Sequence, residues 1–290
     1  MNERANIMEL LKDTDFQNGF VVGHIDSLAY TGNMLEWKFN TMTPSWKICQ
    51  WCSKHPLFEN CEIRKDGDNR TISNAQKSVT RLEDGSVKLL LKTDLEYDHP
   101  REAHEGWPHL LLEQFFIDNR LTSLKELTMD VDFEFTYFKD HMKETRTNLH
   151  TFQVSWYLAI ANRNQESKGY GDFLWFGLPF IDYPRYDFPQ PFRAVDGGKE
   201  DATQKYIVAV DPHLYLEEKT HVGSHYQVEV PVLALIKEAF EYAKGQGYLK
   251  NTEFEDLGLL STNFGIEDTG TFDGELWIHH IHLRGDYNEK

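Results

Sequence analysis

Apolar and polar residues alternate without a break from Leu127 to Tyr137. Leu127, Met129, Val131, Phe133, Phe135 and Tyr137 fall on one side; Thr128, Asp130, Asp132, Glu134 and Thr136 fall on the other. A period of two over this length predicts a strand with one face in a core. The same period recurs at 109–117, where His109, Leu111, Glu113 and Phe115 share a face. It recurs again at 150–161, where Thr151, Gln153, Ser155 and Tyr157 oppose Phe152, Val154, Trp156 and Leu158. Further strand-like runs lie at 35–40, 45–51, 60–64, 70–74, 87–95, 172–178, 205–211, 225–230 and 275–284. Turn pairs such as Asp66-Gly67, Asp84-Gly85 and Asp273-Gly274 separate many of them.

Helical periodicity is scarce. A short helix is predicted at 5–12 and a longer one at 231–245. The longer one has Pro231 in its first turn, Leu235, Ala239, Tyr242 and Ala243 on one face, and a left-handed end at Gly245 or Gly247. Many strands, few helices and no βαβ rhythm predict a mainly all-β antiparallel sandwich forming a single domain over 1–290. The longest irregular stretch, 179–204, holds four of the ten prolines and five aromatic residues. Such a loop is expected to be ordered and to cover a cleft.

Composition narrows the partners. The 30 Lys+Arg against 47 Asp+Glu give a net charge of −17, which disfavours nucleic acid and anionic membranes as partners. Glu3, Arg4, Lys12, Asp13 and Asp15 stand where a secretory leader needs an apolar stretch. The expectation is therefore a cytoplasmic protein, or a secreted one whose leader was removed; oligomeric state stays open. Cys49, Cys52, His55 and Cys61 spell C-x2-C-x2-H-x5-C, a zinc-like spacing. Reading 45–51 as a strand puts Cys49 and Cys52 on opposite faces, which favours reduced thiols. The chain has no G-x-S-x-G, Walker, G-x-G-x-x-G or H-E-x-x-H motif. Serine hydrolase, nucleotide-binding and zincin chemistry are accordingly poor fits.

Three clusters carry candidate chemistry. The first is the acidic stripe Asp130, Asp132 and Glu134, since glycoside hydrolysis uses one protonated and one ionised carboxyl and crowding raises at least one pKa. Glu113, costly to bury unless partnered, forms the second with His109. In the third, Gln153 and Tyr157 join Asn162, Asn164, Asp172 and Trp175 to offer the donors and acceptors that sugar hydroxyls need. Trp107, Trp46, Trp156 and Trp175 are candidate stacking platforms. In the last strand-like run, His280 and His282 are expected on one face and His279 on the other, a His-x-His metal pair.

The stripe resembles the E-x-D-x-E strand of concanavalin A-like glucanases, and the many-stranded layout resembles their jelly roll. Asp130 departs from that pattern, standing where the family has a nucleophilic Glu. The resemblance implies a glycoside hydrolase acting on a poly- or oligosaccharide with no required cofactor. It also implies a structural calcium ion, with Asp273 or Glu275 supplying oxygens. Two alternatives stay open beside it: a non-catalytic glycan-binding module, and a polysaccharide lyase with His109, His150 or a tyrosine as base. For the stripe itself, the plain alternative is a solvated strand face.

Overall fold

In a computed structural model, which describes residues 6–23, 34–142, 147–199 and 202–288, seventeen strands form two stacked sheets. They are β1 (Ile7–Glu9), β2 (Gly19–Gly23), β3 (Met34–Lys38), β4 (Trp46–Cys49), β5 (Glu62–Asp66) and β6 (Asn69–Ser73). After these come β7 (Lys77–Arg81), β8 (Val87–Lys92), β9 (His109–Arg120), β10 (Leu124–Asp140), β11 (Phe152–Asn162) and β12 (Phe173–Tyr183). The last are β13 (Phe192–Val195), β14 (Tyr206–Ala209), β15 (His225–Pro231), β16 (Leu257–Asp268) and β17 (Phe272–Tyr287). One sheet runs β15-β10-β17-β8-β7-β6-β5, with β1 added on β17; the other runs β13-β14-β12-β11-β16-β9-β4-β2-β3. This is the mainly-β sandwich that the alternation predicts, antiparallel as expected except that β2 pairs with β4 and β12 with β14 in parallel.

The core lies between the sheets. Leu127, Met129, Val131, Phe133 and Phe135 of β10 are buried and meet β11, β12 and β16 across the sandwich. Phe133 packs edge-on against Phe180 and Phe264, and Phe135 stacks on Phe152. Trp46 and Trp156 are also fully buried, so neither is available for stacking on a ligand. Tyr137 departs from the expected inward face and is 39% exposed. A bulge between Phe135 and Tyr137 resets the alternation, and Phe138 takes the inward place against Phe135 and Phe152.

A second bulge corrects the histidine reading. Asp132 pairs with His280 and Phe133 with Ile278, so His279 is the extra residue on β17. The bulge turns His279 to the same outer face as its neighbours. There His279 meets Glu134 (2.9 Å), His280 meets Asp130 (3.1 Å) and His282 meets Glu9 (2.8 Å).

The N-terminal segment predicted as a helix at 5–12 instead adds β1 to the edge of the sheet, antiparallel to β17. A one-turn helix α1 (Thr93–Glu96) follows β8, and the longer helix is α2 (Leu233–Gly245). Pro231 ends β15 and does not open α2. The first free helical N–H, on Leu233, instead finds the Glu126 side chain (3.1 Å). The buried face of α2 is Ile236, Ala239, Phe240 and Ala243, and Gly247, at φ +90°, turns the chain away. Among the described residues, no helix is long and apolar enough to cross a membrane.

Candidate functional site

Because β11 buries Phe152, Val154, Trp156 and Leu158, its Gln153 and Tyr157 project from the outer face of the nine-stranded sheet. Register lines up residues from four adjacent strands into rows. One row reads Asp182 (β12), Gln153 (β11), Glu267 (β16) and His109 (β9); another reads Gly177, Tyr157, Asn263 and Glu113. Residues from Arg185 to Lys199, together with Thr203, border these rows and bound a cavity of about 510 Å³. Its walls include Trp51, Trp107, Trp175, Tyr186 and Phe192; Gln153, Tyr157, Asn263, Glu267, His109 and Asp182 contribute from the sheet. The stretch expected to be irregular over 179–204 is in part strand, since β12 runs to Tyr183 and β13 takes Phe192–Val195, and residues from Asp182 onward border the cleft.

His109 and Glu267 form the charged centre. The His109 Nε2 lies 3.2 Å from Glu267 Oε2, and its Nδ1 lies 3.2 Å from the Trp51 carbonyl. Both ring nitrogens thus face acceptors. Trp107 stacks on His109 and donates its indole N–H to Glu267 (3.0 Å). Arg101 and Lys199 lie over the Trp107 ring at 4.4 and 4.2 Å. Burial pushes the Glu267 carboxyl up. The His109 charge and hydrogen bond, the Trp107 N–H and Lys199 outweigh it and hold the group down to about 2.

That depression has a pH consequence. A carboxyl with a lowered folded-state pKa stabilises the fold above its ordinary value of 4.5, and this is lost as pH falls toward about 2. The shift corresponds to about 3 kcal/mol. Urea unfolding of wild type and Glu267→Gln between pH 6 and pH 2 is expected to show their stabilities converging in acid by about that amount. Parallel curves would mean Glu267 carries no such linkage.

The other cavity carboxylates are also held. Asp182 accepts from Thr151 Oγ1 (2.6 Å) and Arg185 Nη2 (2.5 Å), and Asp196 accepts from Thr203 Oγ1 (2.6 Å). Thr203 in turn accepts from the Trp175 indole (3.2 Å). Burial, then the nearby Glu267 charge, push the Tyr157 phenol well up, so it stays protonated. Its ring lies across Gly177, where an added Cβ would come within 2.2 Å of it.

The structure gathers five of the sequence-predicted residues in this cavity: His109, Gln153, Tyr157, Trp175 and Trp107. Glu113 faces the same side but is buried outside the lining, with Cys49 Sγ 3.2 Å from its carboxylate and Lys47 nearby. Asn162, Asn164 and Asp172 build the turn between β11 and β12. Asn162 bonds Ser167 and Thr252, Asn164 bonds Asp256 (2.7 Å), and Asp172 pairs with Lys205 (2.7 Å). Asp130, Asp132 and Glu134 lie on the outer face of the other sheet and line no part of the cavity. Each is paired there: Asp130 with His280 and Arg284, Asp132 with His225 and Gln227, Glu134 with His279. Glu275 accepts from Thr136 (2.7 Å), whereas Asp273 turns toward His141 (3.0 Å), so the two carboxylates are not brought together.

Glu267 and Asn263 escaped the sequence reading because β16 was not recognised as a strand, and Asp182, Arg185 and Trp51 carried no motif.

No family model and no curated protein matches the chain. Among solved structures, it is similar to a family 12 xyloglucanase from Bacillus licheniformis in complex with ligand, at 8% identity and TM-score 0.44 over 77% of this chain and 95% of that one. It is also similar to an endoglucanase from Rhodothermus marinus, at 12% identity and TM-score 0.37 over 77% and 96%. A third is the family 11 xylanase from Neocallimastix patriciarum, at 10% and 0.36 over 77% and 94%. The likeness is to the jelly-roll layout of glycoside hydrolase families 12 and 11, and at these values it carries no argument about chemistry.

Proposed function

We propose that the protein is carbohydrate-active and holds a poly- or oligosaccharide in the cavity of the nine-stranded sheet. The observation that carries this reading is the row Asp182–Gln153–Glu267–His109 beneath walls of Trp51, Trp175, Tyr186 and Phe192. Ring faces suit the C–H faces of sugars, while amide, guanidinium and carboxylate groups suit their hydroxyls. Cleavage of a glycosidic bond there falls to Glu267 and Asp182. They stand two strands apart, about 10 Å at Cα, flanking Gln153. Glu267, held ionised, is the base, and Asp182, on the far side of Gln153, is the second carboxyl of the pair.

A second reading, binding without cleavage, is favoured by one observation. Glu267, Asp182 and Asp196 already have their donors, and Glu267 is shifted away from the range of a general acid.

Glycan-array binding and reducing-end release separate the readings. Wild type is expected to bind and cut, and Glu267→Gln and Asp182→Asn to bind but cut at least ~100-fold more slowly. Glu134→Gln, on the other sheet, is expected to cut normally. Tyr186→Ala, at a 44% exposed rim residue, is expected to weaken binding roughly 3- to 10-fold. Binding with no cleavage of any bound glycan selects the second reading, and no binding at all removes the saccharide premise.

A further inference from the structure

At one end of the eight-stranded sheet, three elements bring a histidine between two carboxylates. Asp94 comes from α1, His141 from the residue after β10, and Asp273 from the start of β17. His141 Nδ1 lies 3.5 Å from Asp94 Oδ2, and its Nε2 lies 3.0 Å from Asp273 Oδ2. One donor atom from each residue falls within 4.8 Å of the others. The His141 backbone N–H is fixed on the Thr271 carbonyl (3.1 Å).

The decisive observation is independent of that grouping. Asp273 is only 5% exposed, and its Oδ1 is buried with no hydrogen-bond partner. Among the described residues, neither Asp94 nor Asp273 pairs with a lysine or arginine. A buried carboxylate oxygen without a donor is costly, and a second carboxylate close by raises that cost. The His/Asp cluster on the outer face differs in this respect. There both oxygens of Asp132 have donors, His225 and Gln227, and His225 is exposed.

We propose that Asp94, His141 and Asp273 form a binding site for a zinc-class divalent cation, separate from the saccharide cavity and independent of its function. The donor set decides the class. Calcium takes six to eight oxygens, whereas an imidazole nitrogen with two carboxylates and water in a fourth position suits zinc. A single ion takes only one nitrogen of His141, so the carboxylate now facing the other nitrogen has to turn toward it. One donor atom from each residue already lies within 4.8 Å of the others, and donors on a tetrahedral zinc stand roughly 3.3 Å apart. The ion bridges α1, the end of β10 and the start of β17, and so clamps three elements that are distant in sequence.

The test uses the whole chain, freed of metal by chelation and titrated with Zn²⁺ or Ca²⁺ alone by calorimetry. The expected result is one Zn²⁺ per chain, bound tighter than Ca²⁺, with a raised Tm. Asp94→Asn, at a residue whose side chain is 30% exposed, and His141→Gln are each expected to weaken binding roughly 10- to 100-fold. His225→Gln is expected to leave it unchanged. In the unaltered protein, the His141 ring resonances are expected to shift on zinc addition, a readout that needs no variant to fold. Absence of zinc binding, tighter binding of Ca²⁺, unshifted His141 resonances, or loss of the site in His225→Gln each overturns the proposal.

Discussion

Gly177→Ala is expected to reduce saccharide binding at least tenfold and to destabilise the protein by about 1–3 kcal/mol, the usual cost of forcing a methyl into packed space. Gly177 stands directly opposite Tyr157 on the neighbouring strand. A Cβ there would lie 2.2 Å from Tyr157 Cε1 and 2.6 Å from Cδ1. The ring cannot stay where it is, and in moving it gives up its edge contact with Trp175, 6.3 Å between centroids. Tyr157 lines the cavity, so its displacement alters the wall that a ligand meets. Gly177 is not in the left-handed region, so alanine suits its backbone and the effect is one of space alone. A double-mutant cycle checks this. With Tyr157→Ala already present, Gly177→Ala should cost almost nothing. If its cost is undiminished there, the ring is not what the glycine accommodates. Binding is read by calorimetry on the glycan the array identifies, and stability by urea unfolding.

How much of this site was legible depended on whether a strand kept its period. In β10 the alternation holds from Leu127 to Phe135 and in β11 from Phe152 to Leu158, and over those residues the inward faces are as expected. In β16 Leu260 is an extra residue against β11, and Ser261-Thr262-Asn263 with Gly265 has the composition of a turn. The bulge removes the period and the small residues imitate a loop, so Asn263 and Glu267 went unseen. Asp182 was hidden differently. It ends the nearly continuous apolar run of β12, whose inner face meets the core and whose outer face lies under the loop. Alternation also explains the weight given to Asp130, Asp132 and Glu134. Period two separates the face in the core from the face outside it, but it does not say which of two outer faces a loop covers. The aromatic content of 179–204 was a mixed guide: Phe180 and Tyr183 belong to β12 and pack on the core, and only Tyr186 and Phe192 line the cavity.

Lys77→Met should be the most damaging single change away from the cavity, lowering stability by about 3–5 kcal/mol, the range for breaking a buried ion pair from one side. Lys77 and Glu96 have fully buried side chains. The ammonium donates to Glu96 (2.8 Å), Ser53 Oγ (2.6 Å) and the His55 carbonyl (2.8 Å). The other carboxylate oxygen of Glu96 accepts from Ser53 Oγ and the Lys54 N–H, each at 2.6 Å. Burial alone lowers the Lys77 pKa, and the Glu96 charge works against that shift. With methionine at 77 the volume is nearly kept, but the carboxylate remains without its cation. Lys77→Met with Glu96→Gln should therefore recover part of the loss, since the amide oxygen still accepts from Ser53 and Lys54 without a net charge. The pair also fixes the segment after β4 that carries Trp51 to the cavity wall, where its carbonyl accepts from the His109 backbone N–H (3.1 Å). Lys77→Met should accordingly weaken saccharide binding as well as lower Tm. A loss of under about 1 kcal/mol in urea unfolding would show that Glu96 finds another donor; full destabilisation with unchanged binding would show that Trp51 is held without this pair.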